Sequence, residues 1–199
     1  MIVVVDYGMG NLKSVANACR LLGKPAIVTD SKEVIAKAEK IIFPGVGHFA
    51  QAMKELKKRG LISVIKKKIA EGAPFFGICL GMQILFEESQ EAPGLKGLGV
   101  IKGKVKKFKD KSLRIPHMGW NQINIKKPTM FKGVKDRSFL YFVHSYYCEP
   151  KDKKIVATTT DYGVEFVSSI SVENIWAVQF HAEKSQRLGL KLFDNFLKQ

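Results

Sequence analysis

Short apolar runs alternate with amphipathic segments through the first half of the chain. The apolar runs at 2–5, 26–29, 41–43 and 75–78 have the length of buried strands. Helices are predicted at 11–22, at 82–88 and from 48 to 71 with a break near Gly60, and Ser31 is expected to cap a further short helix. Strands that alternate with helices in this way predict a mostly parallel sheet that is covered on both faces.

The second half of the chain is rich in strand signals. Strands are predicted at 99–108, 114–125, 140–148, 154–160 and 165–180, with turn signals such as Asp161-Tyr162-Gly163 between them. An amphipathic helix is predicted at 185–198. Because the chain shows no internal repeat and no low-complexity linker, a single domain over residues 1–199 is expected.

The composition is that of a globular protein with a substantial core. Hydrophobic residues make up 46% of the 199 positions and charged residues 26%. No apolar run approaches the roughly 20 residues of a membrane helix, and the N-terminal residues resemble a first strand rather than a signal peptide. These features predict a cytoplasmic protein without membrane association.

The formal net charge of +15 raises the question of nucleic-acid binding. The excess is mostly lysine, arginine is scarce, and aromatic residues are not interleaved with the basic runs as stacking platforms. Lysines on the polar faces of helices explain the charge, and we expect no nucleic-acid partner. An anionic ligand or an acidic partner remains as the alternative.

The residues 77–81 read G-I-C-L-G, directly after a predicted strand and before a predicted helix. The chain has three cysteines at long spacings, which argues against a disulfide framework or a zinc site and for a lone functional thiol. Glycines that flank a corner residue are typical of the nucleophile elbow, here with the Cys79 thiol in place of a serine hydroxyl. The alternative is a buried structural cysteine between two incidental glycines.

A thiol nucleophile needs a base, and the base needs a group that orients it. Of the histidines at 48, 117, 144 and 181, His181 is followed two residues later by Glu183, which in an extended chain points to the same side. An H-x-E pair also occurs by chance and in metal sites. The glycine-rich loop at 44–47 follows another predicted strand, and ligands bind outside the carboxyl ends of such strands.

One further segment partly matches the sequence pattern of a dinucleotide-binding site. Residues 6–10 follow a strand and precede a helix, as in a dinucleotide fingerprint, but Lys13 occupies the place of the third glycine. Asn11 is more simply expected to cap the helix. No cofactor and no metal are therefore predicted.

Together the three candidate segments resemble the class I (triad-type) glutamine amidotransferases. The motifs DYGMGNLKSV, FPGVGHF, GICLGMQILFEES, PHMGWN, YFVHSYY and QFHAEKS run in order over nearly the whole chain. They resemble those of the glutaminase subunits of imidazole glycerol phosphate synthase. One departure is Ala182, where that family usually has proline. The resemblance implies an α/β, three-layer fold, with a central mostly parallel sheet flanked by helices and added antiparallel strands in the second half.

The resemblance also implies the chemistry. Cys79 would attack the side-chain amide of L-glutamine to form a glutamyl thioester, with His181 as the base and Glu183 orienting it. The oxyanion would be held at Val46, Gly47 and Leu80. The residues implied to bind the amino-acid end of glutamine are Gly45, Gln83, Glu91, His144, Ser145 and Tyr146.

A partner follows from the same resemblance. The family passes its ammonia to a cyclase subunit with a (βα)8 barrel, as a heterodimer in histidine biosynthesis. The residues that match the family's partner surface are Asn11, Ser14, Met118, Trp120, Asn121 and Lys184. From the sequence alone, Trp120 fits a core position as well as an interface anchor.

Three alternatives stay open at this point. The chain could be a related glutaminase subunit that feeds a sugar amidotransferase, an anthranilate synthase or a pyridoxal phosphate synthase. It could be a non-catalytic scaffold that only binds a partner, although the intact set of Cys79, His181 and Glu183 argues against this. It could also be a basic nucleic-acid-binding module.

Overall fold

A computed structural model describes residues 1–109 and 112–199 of the chain. The first half contains β1 (Ile2–Val5), α1 (Leu12–Leu21), β2 (Ala26–Thr29), α2 (Lys32–Ala36), β3 (Lys40–Gly45), α3 (Phe49–Lys58), α4 (Leu61–Ala70), β4 (Phe75–Cys79), α5 (Leu80–Gln83) and β5 (Phe86–Ser89). The second half contains β6 (Ile101–Lys107), β7 (His117–Gln122), β8 (Asn124–Ile125), β9 (Phe139–His144), β10 (Tyr146–Pro150), β11 (Val156–Asp161), β12 (Glu165–Val172), β13 (Ile175–Val178) and α6 (Gln186–Leu197). Short 3-10 helices lie at Thr129–Phe131, Lys153–Ile155 and Ala182–Lys184.

The central sheet has the order β2-β1-β3-β4-β13-β12-β10-β6-β5. In addition, β11 pairs with β12, and β8 pairs with β11, so this sheet has eleven strands in the described ranges. The five strands from β2 to β13 are mutually parallel. The strand β12 pairs antiparallel with β13, β10 and β11, so the antiparallel part comes from the second half of the chain. The predicted mostly parallel sheet with added antiparallel strands is confirmed.

Helices cover both faces of this sheet. In β1, Val3 belongs to one buried cluster and Val4 to the other, because successive side chains of a strand point to opposite faces. Buried residues of α2, α3 and α4 join the first cluster, and those of α1 and α6 join the second. The three-layer arrangement is therefore as predicted.

A two-stranded ribbon of β7 and β9 lies beside the main sheet, with His117 opposite His144 and Trp120 opposite Tyr141. The single strand predicted at 140–148 is wrong, because it is divided at Ser145 into β9 and β10, which pair with different strands. The strand predicted at 165–180 is likewise two strands. They are joined at Glu173, which has a φ of 47°.

The helix predicted at 82–88 is also wrong. One turn, α5, ends at Gln83, and β5 then pairs in parallel with β6. The carbonyl of Ile84 accepts from the N–H of Leu98 at 2.7 Å, and the carbonyl of Glu87 accepts from the N–H of Gly97 at 3.0 Å. The run Ile84-Leu85-Phe86 is apolar at every position, so periodicity alone does not separate a helix from a strand here.

Two predicted helix caps have different outcomes. Ser31 accepts a hydrogen bond from the N–H of Val34 at 3.3 Å, as expected of an N-cap. Asn11 precedes α1 but makes no side-chain cap bond.

The basic run after residue 101 lies on a strand rather than on a helix face. Lys102 and Lys104 are exposed on β6, and they alternate with the buried Gly103 and Val105. This alternation follows the period of two of a half-buried strand.

None of the helices within residues 1–109 and 112–199 is long and apolar enough to cross a membrane.

Glycines allow α5 to touch the neighbouring strands. A Cβ at Gly81 would lie 2.0 Å from the carbonyl oxygen of Phe43 in β3, and a Cβ at Gly77 would lie 2.6 Å from the carbonyl oxygen of Gly81. Both distances are far below van der Waals contact, and both neighbouring atoms belong to the backbone. The turn after Cys79 is therefore packed directly against β3 and β4.

We expect Gly81→Ala to lower the free energy of unfolding by about 3 kcal/mol, since the new methyl group displaces backbone. Gly94→Ala is the matched control, because Gly94 has a positive φ of 83° but open space around it. That control should cost only about 1 kcal/mol of backbone strain. Urea denaturation of both variants measures the difference, and equal losses would contradict the close packing at Gly81.

Candidate active site

Cys79 sits on a sharp corner between β4 and α5. Its φ of 54° and ψ of −106° are unusual for a residue with a side chain, and such strain is concentrated at functional sites. Gly45, the last residue of β3, lies opposite Cys79 in the parallel ladder. The thiol therefore lies at the carboxyl edge of the sheet, where the elbow motif predicted it.

His181 and Glu183 lie just after β13, the strand beside β4. Nδ1 of His181 is 2.8 Å from Oε1 of Glu183, and both side chains are only 1% exposed. Nε2 of His181 makes no hydrogen bond of regular geometry within the described residues. Burial alone would lower the pKa of His181, but the adjacent Cys79 sulfur and the bond to Glu183 outweigh burial and raise that pKa. An imidazolium beside the sulfur favours the thiolate.

The backbone of His181 is held from two sides. Its N–H donates to the carbonyl of Tyr141 at 2.8 Å. Its carbonyl accepts from the hydroxyl of Ser185 at 2.7 Å, and Oγ of Ser185 in turn accepts from the N–H of Tyr141 at 3.0 Å. Ala182, where the resembling family usually has proline, is buried at the start of a 3-10 helix. These bonds fix the main chain of the H-x-E segment without a proline.

A cavity of about 250 Å³ opens onto the thiol. The residues that line it are Val46, Gly47, His48, Cys79, Leu80, Gln83, Glu91, Pro116, Val143, His144, Ser145, Tyr146 and His181. The structure thus brings most of the predicted catalytic, oxyanion and substrate residues to one place. Gly45 is not among the lining residues, because it lies buried between Tyr7 and Leu80. Glu183 is not among them either, and it contacts the ring of His181.

The carboxylate of Glu91 is anchored at the rim of the cavity. Oε2 accepts from the N–H of Phe49 at 2.7 Å, at the first residue of α3, and Oε1 is 3.1 Å from Nδ1 of His48. A carboxylate at a helix N-terminus is stabilised there. The cavity therefore has a fixed negative group at its edge.

The ring of His144 lines the cavity, but both of its nitrogens are bonded to protein atoms. Its Nδ1–H donates to the carbonyl of Tyr146 at 2.7 Å, so its Nε2 accepts from Nδ1–H of His117 at 2.9 Å. Nε2 of His117 then accepts from the amide of Asn121 at 3.2 Å. Burial lowers the pKa of His117 to about 4 and is also the main cause that lowers the pKa of His144 to about 3. Both rings are therefore neutral at physiological pH.

Three of the predicted partner residues, Met118, Trp120 and Lys184, lie near one another on the surface. Met118 is 62% exposed and Trp120 45%. Trp120 packs edge-on against Tyr141 with ring centroids 5.9 Å apart, and Nζ of Lys184 lies 5.7 Å from the same Tyr141 ring. The core alternative for Trp120 is wrong.

Not every predicted partner residue points outward. Asn121 turns its amide inward, donating to the carbonyl of Asp161 at 2.8 Å. Asn11 and Ser14 lie at the start of α1, which packs against the 3-10 helix that carries Lys184.

Sequence reasoning missed several residues of the site. Val143, Pro116 and His48 line the cavity. The ring of Tyr141 contacts both Trp120 and Nζ of Lys184. Gln179 is fully buried against the thiol, and its place two residues before His181 on the same strand edge was the available signal. The other positions depend on long-range pairings that no local pattern encodes.

The remaining thiols lie in different surroundings. Cys19 and Cys148 are buried in the core. Burial raises the pKa of Cys19 to about 11. Burial, and then the nearby Cys79, also raise the pKa of Cys148. Both side chains are therefore thiols at neutral pH, and Cys79 is the cysteine that lines the cavity.

The model of the family "Glutamine amidotransferase class-I" matches residues 3–199. The imidazole glycerol phosphate synthase subunit HisH of Aquifex aeolicus is 50% identical to the chain over 196 residues, covering 98% of the chain and 94% of the relative. The HisH subunit of Pyrococcus furiosus is 51% identical over 197 residues, with 98% and 97% covered. The chain belongs to the class-I glutamine amidotransferases, and within them to the HisH subunit family. The predicted family and enzyme class are confirmed.

Solved structures of low sequence identity share the fold. A glutamine amidotransferase crystal structure superposes with a TM-score of 0.77 at 20% identity, covering 100% of this chain and 98% of the other. The structure of PurLQS from Thermotoga maritima gives 0.75 at 19% identity, with 99% and 97% covered. The three-layer class-I amidotransferase fold predicted from the sequence is confirmed.

The neutral histidine pair predicts an acid-sensitive step in stability. The folded-state pKa of His117 lies below its ordinary value of about 6.5, so the unfolded chain binds the extra proton between those values, and stability falls as pH falls from about 6.5 to 4. Each such proton contributes a slope of about 1.4 kcal/mol per pH unit. We expect His117→Asn to lose stability less steeply than the wild type across this range, as measured by urea unfolding at several pH values.

The control for this experiment is Phe142→Leu, which removes packing against the same ring without removing a titratable group. That variant should be less stable at every pH, with the wild-type slope. Parallel curves for His117→Asn and the wild type would contradict the buried neutral state of the pair.

Proposed function

We propose that the chain is the glutaminase subunit of imidazole glycerol phosphate synthase, that it hydrolyses L-glutamine to L-glutamate and ammonia, and that it passes the ammonia to a cyclase subunit. The observation that carries the proposal is the strained Cys79 corner in a cavity beside His181, whose ring is held by Glu183 at 2.8 Å. The similarity to HisH subunits over nearly the whole chain supports the pathway, histidine biosynthesis.

In the proposed reaction the Cys79 sulfur attacks the side-chain carbonyl carbon of glutamine. His181 holds the thiol proton and gives it to the departing amide nitrogen, so that ammonia leaves and a glutamyl thioester remains. Water, deprotonated by His181, then cleaves the thioester. Glu183 keeps Nε2 of His181 directed at the sulfur and stabilises the charged ring, which is the role of the third member of a triad.

The oxyanion of each tetrahedral intermediate needs N–H donors on one side of the sulfur. The N–H of Leu80 follows the nucleophile directly, and Val46 and Gly47 line the same cavity. Gly47 has a φ of 94°, and Val46 is 37% exposed. We propose that this exposed, glycine-containing loop rearranges to complete the oxyanion hole, and that the isolated subunit is therefore nearly inactive.

The amino-acid end of glutamine is zwitterionic, and the cavity offers polar groups for it. We propose that the anchored Glu91 carboxylate receives the ammonium group. Gln83 and the backbone at Ser145 and Tyr146 would bind the remaining polar atoms. His144 would contribute indirectly, by fixing the carbonyl of Tyr146. Gly45 would also contribute indirectly, by allowing the end of β3 to approach Leu80 and Gly81 closely.

We propose that the partner is a (βα)8-barrel cyclase, bound as a heterodimer on the surface around Met118, Trp120 and Lys184. Exposed Met and Trp side chains next to a lysine suit an interface with an apolar anchor and a charged rim. Asn11 and Ser14 extend this surface, and Asn121 supports it through β7. We also propose that one domain, residues 1–199, carries all of these features, without a cofactor and without nucleic acid; the cytoplasmic location stays a prediction.

The proposal predicts glutamate and ammonia release that depends on the partner. We expect little release from the chain alone, and full release with the barrel cyclase and its nucleotide ligand. Cys79→Ala should lower this release by at least about a thousandfold while cyclase binding stays intact, because the nucleophile is lost but the cavity is not filled. Coupled glutamate detection and calorimetric titration of the complex measure both.

Two outcomes would count against the proposal. Rapid hydrolysis without any partner would contradict the gated loop. If a folded protein released no glutamate or ammonia with the cyclase and its ligand, the assignment to this synthase would be contradicted. The same assay with a sugar amidotransferase partner would then distinguish a related glutaminase from a non-catalytic scaffold.

A further inference from the structure

A buried glutamine, Gln179, lies against the sulfur of Cys79. It directly follows β13, and its backbone N–H donates to the carbonyl of Ser168 at 2.8 Å. Its side chain is fully buried, and Nε2 lies 3.6 Å from Sγ of Cys79, a hydrogen-bond distance for sulfur. A buried amide needs partners for its polar atoms, so this contact is part of the structure's hydrogen bonding.

The orientation of the Gln179 amide follows from its neighbours. The carbonyl of Tyr146 is an acceptor only, and Gln83 lies 3.2 Å from it with Nε2, so Gln83 presents its NH₂ group there. The same Nε2 lies 3.1 Å from Oε1 of Gln179 and donates to it. Gln179 must then direct its own NH₂ group at the sulfur, because its oxygen is already used.

We propose that Gln179 stabilises the thiolate of Cys79 by donating an N–H to the sulfur, and that Gln83 orients Gln179 for this purpose. The inference rests on the proposed function, because it takes Cys79 as the nucleophile. It assigns a second source of thiolate stabilisation beside His181. The Tyr146 carbonyl fixes the orientation of the Gln83 amide, and Gln83 in turn fixes that of the Gln179 amide.

Other groups around the sulfur do not replace this donor. In the described residues, the titratable neighbours that interact with Cys79 are His181, Tyr7 and Cys148. Burial and the proximity of Cys79 raise the pKa of Tyr7, and burial likewise raises that of Cys148, so both are neutral. The carbonyl of Val143, 3.9 Å from Sγ, accepts from the thiol form and therefore favours the protonated state. Gln179 and His181 act in the opposite direction.

The test is the pH dependence of Cys79 alkylation by iodoacetamide in the full chain, followed by peptide mapping. Gln179→Met keeps the length of the side chain and removes the donor. We expect its alkylation to fall about tenfold on the acidic side of the profile, with the midpoint about one unit higher and the high-pH plateau unchanged. Gln179→Glu should shift the midpoint further, because a carboxylate next to the thiolate repels it.

The control variant is Ser171→Ala, which removes a buried hydroxyl elsewhere in the sheet. Ser171 pairs with Trp176, three residues before Gln179, so its loss leaves the sulfur's surroundings intact. Its midpoint should equal that of the wild type. Thermal unfolding of each variant shows that the fold is retained.

The outcomes separate the two proposals. A midpoint for Gln179→Met that equals that of the wild type overturns the role of Gln179, whatever the midpoint of Gln179→Glu and even if Cys79 is alkylated normally. A rate lowered by the same factor at every pH also overturns it, because that pattern reports access rather than thiolate formation. Wild-type protein in which Cys79 is not alkylated at any pH would instead contradict its role as nucleophile, and with it the proposed function.

Discussion

The sheet edge that carries the candidate active site depends on direct contact between backbones. At Gly81 a Cβ would lie 2.0 Å from the carbonyl oxygen of Phe43, and at Gly45 it would lie 3.1 Å from the backbone nitrogen of Gly81. The end of β3 and the corner after β4 are therefore placed by close main-chain packing. A site built on such elements holds its reacting groups more accurately than one built on a free loop. The strain of Cys79 is stored in this rigid frame.

The polar groups behind the cavity are organised by one acceptor. The carbonyl of Tyr146 accepts from Nδ1 of His144 at 2.7 Å and from Nε2 of Gln83 at 3.2 Å. A carbonyl oxygen has two lone pairs and no proton, so each of these neighbours has only one possible orientation. From this atom, one chain of bonds continues through His144 to His117, and the other through Gln83 to Gln179. Because both chains are buried, reversing any member would leave unpaired polar atoms at high cost.

The layered fold and the placement of Cys79, His181 and Glu183 could be predicted from the sequence because their signals are local. An apolar run followed by G-x-C-x-G fixes the elbow, and H-x-E on a strand edge fixes the pair of His181 and Glu183. The end of α5 could not be predicted, since 84–86 is apolar throughout and only pairing with β6 makes β5 a strand. Tyr141 was missed for a similar reason, because its contacts are with residues distant in the chain, which a single sequence does not record. Gln179 had a local signal, its place two residues before His181, but its partner Gln83 is again distant in the chain.

The strand β7 carries two sets of residues on its two sides. His117 and Asn121 point inward, whereas Met118 and Trp120 are exposed. A strand's period of two ties these sets together, and an inserted residue would exchange them. The face that would meet a partner and the face that supports the cavity therefore depend on the same alternation of side chains along β7. In evolution, such a strand can change its outer residues one at a time to suit a different partner, but its length is fixed by the histidine on the other side.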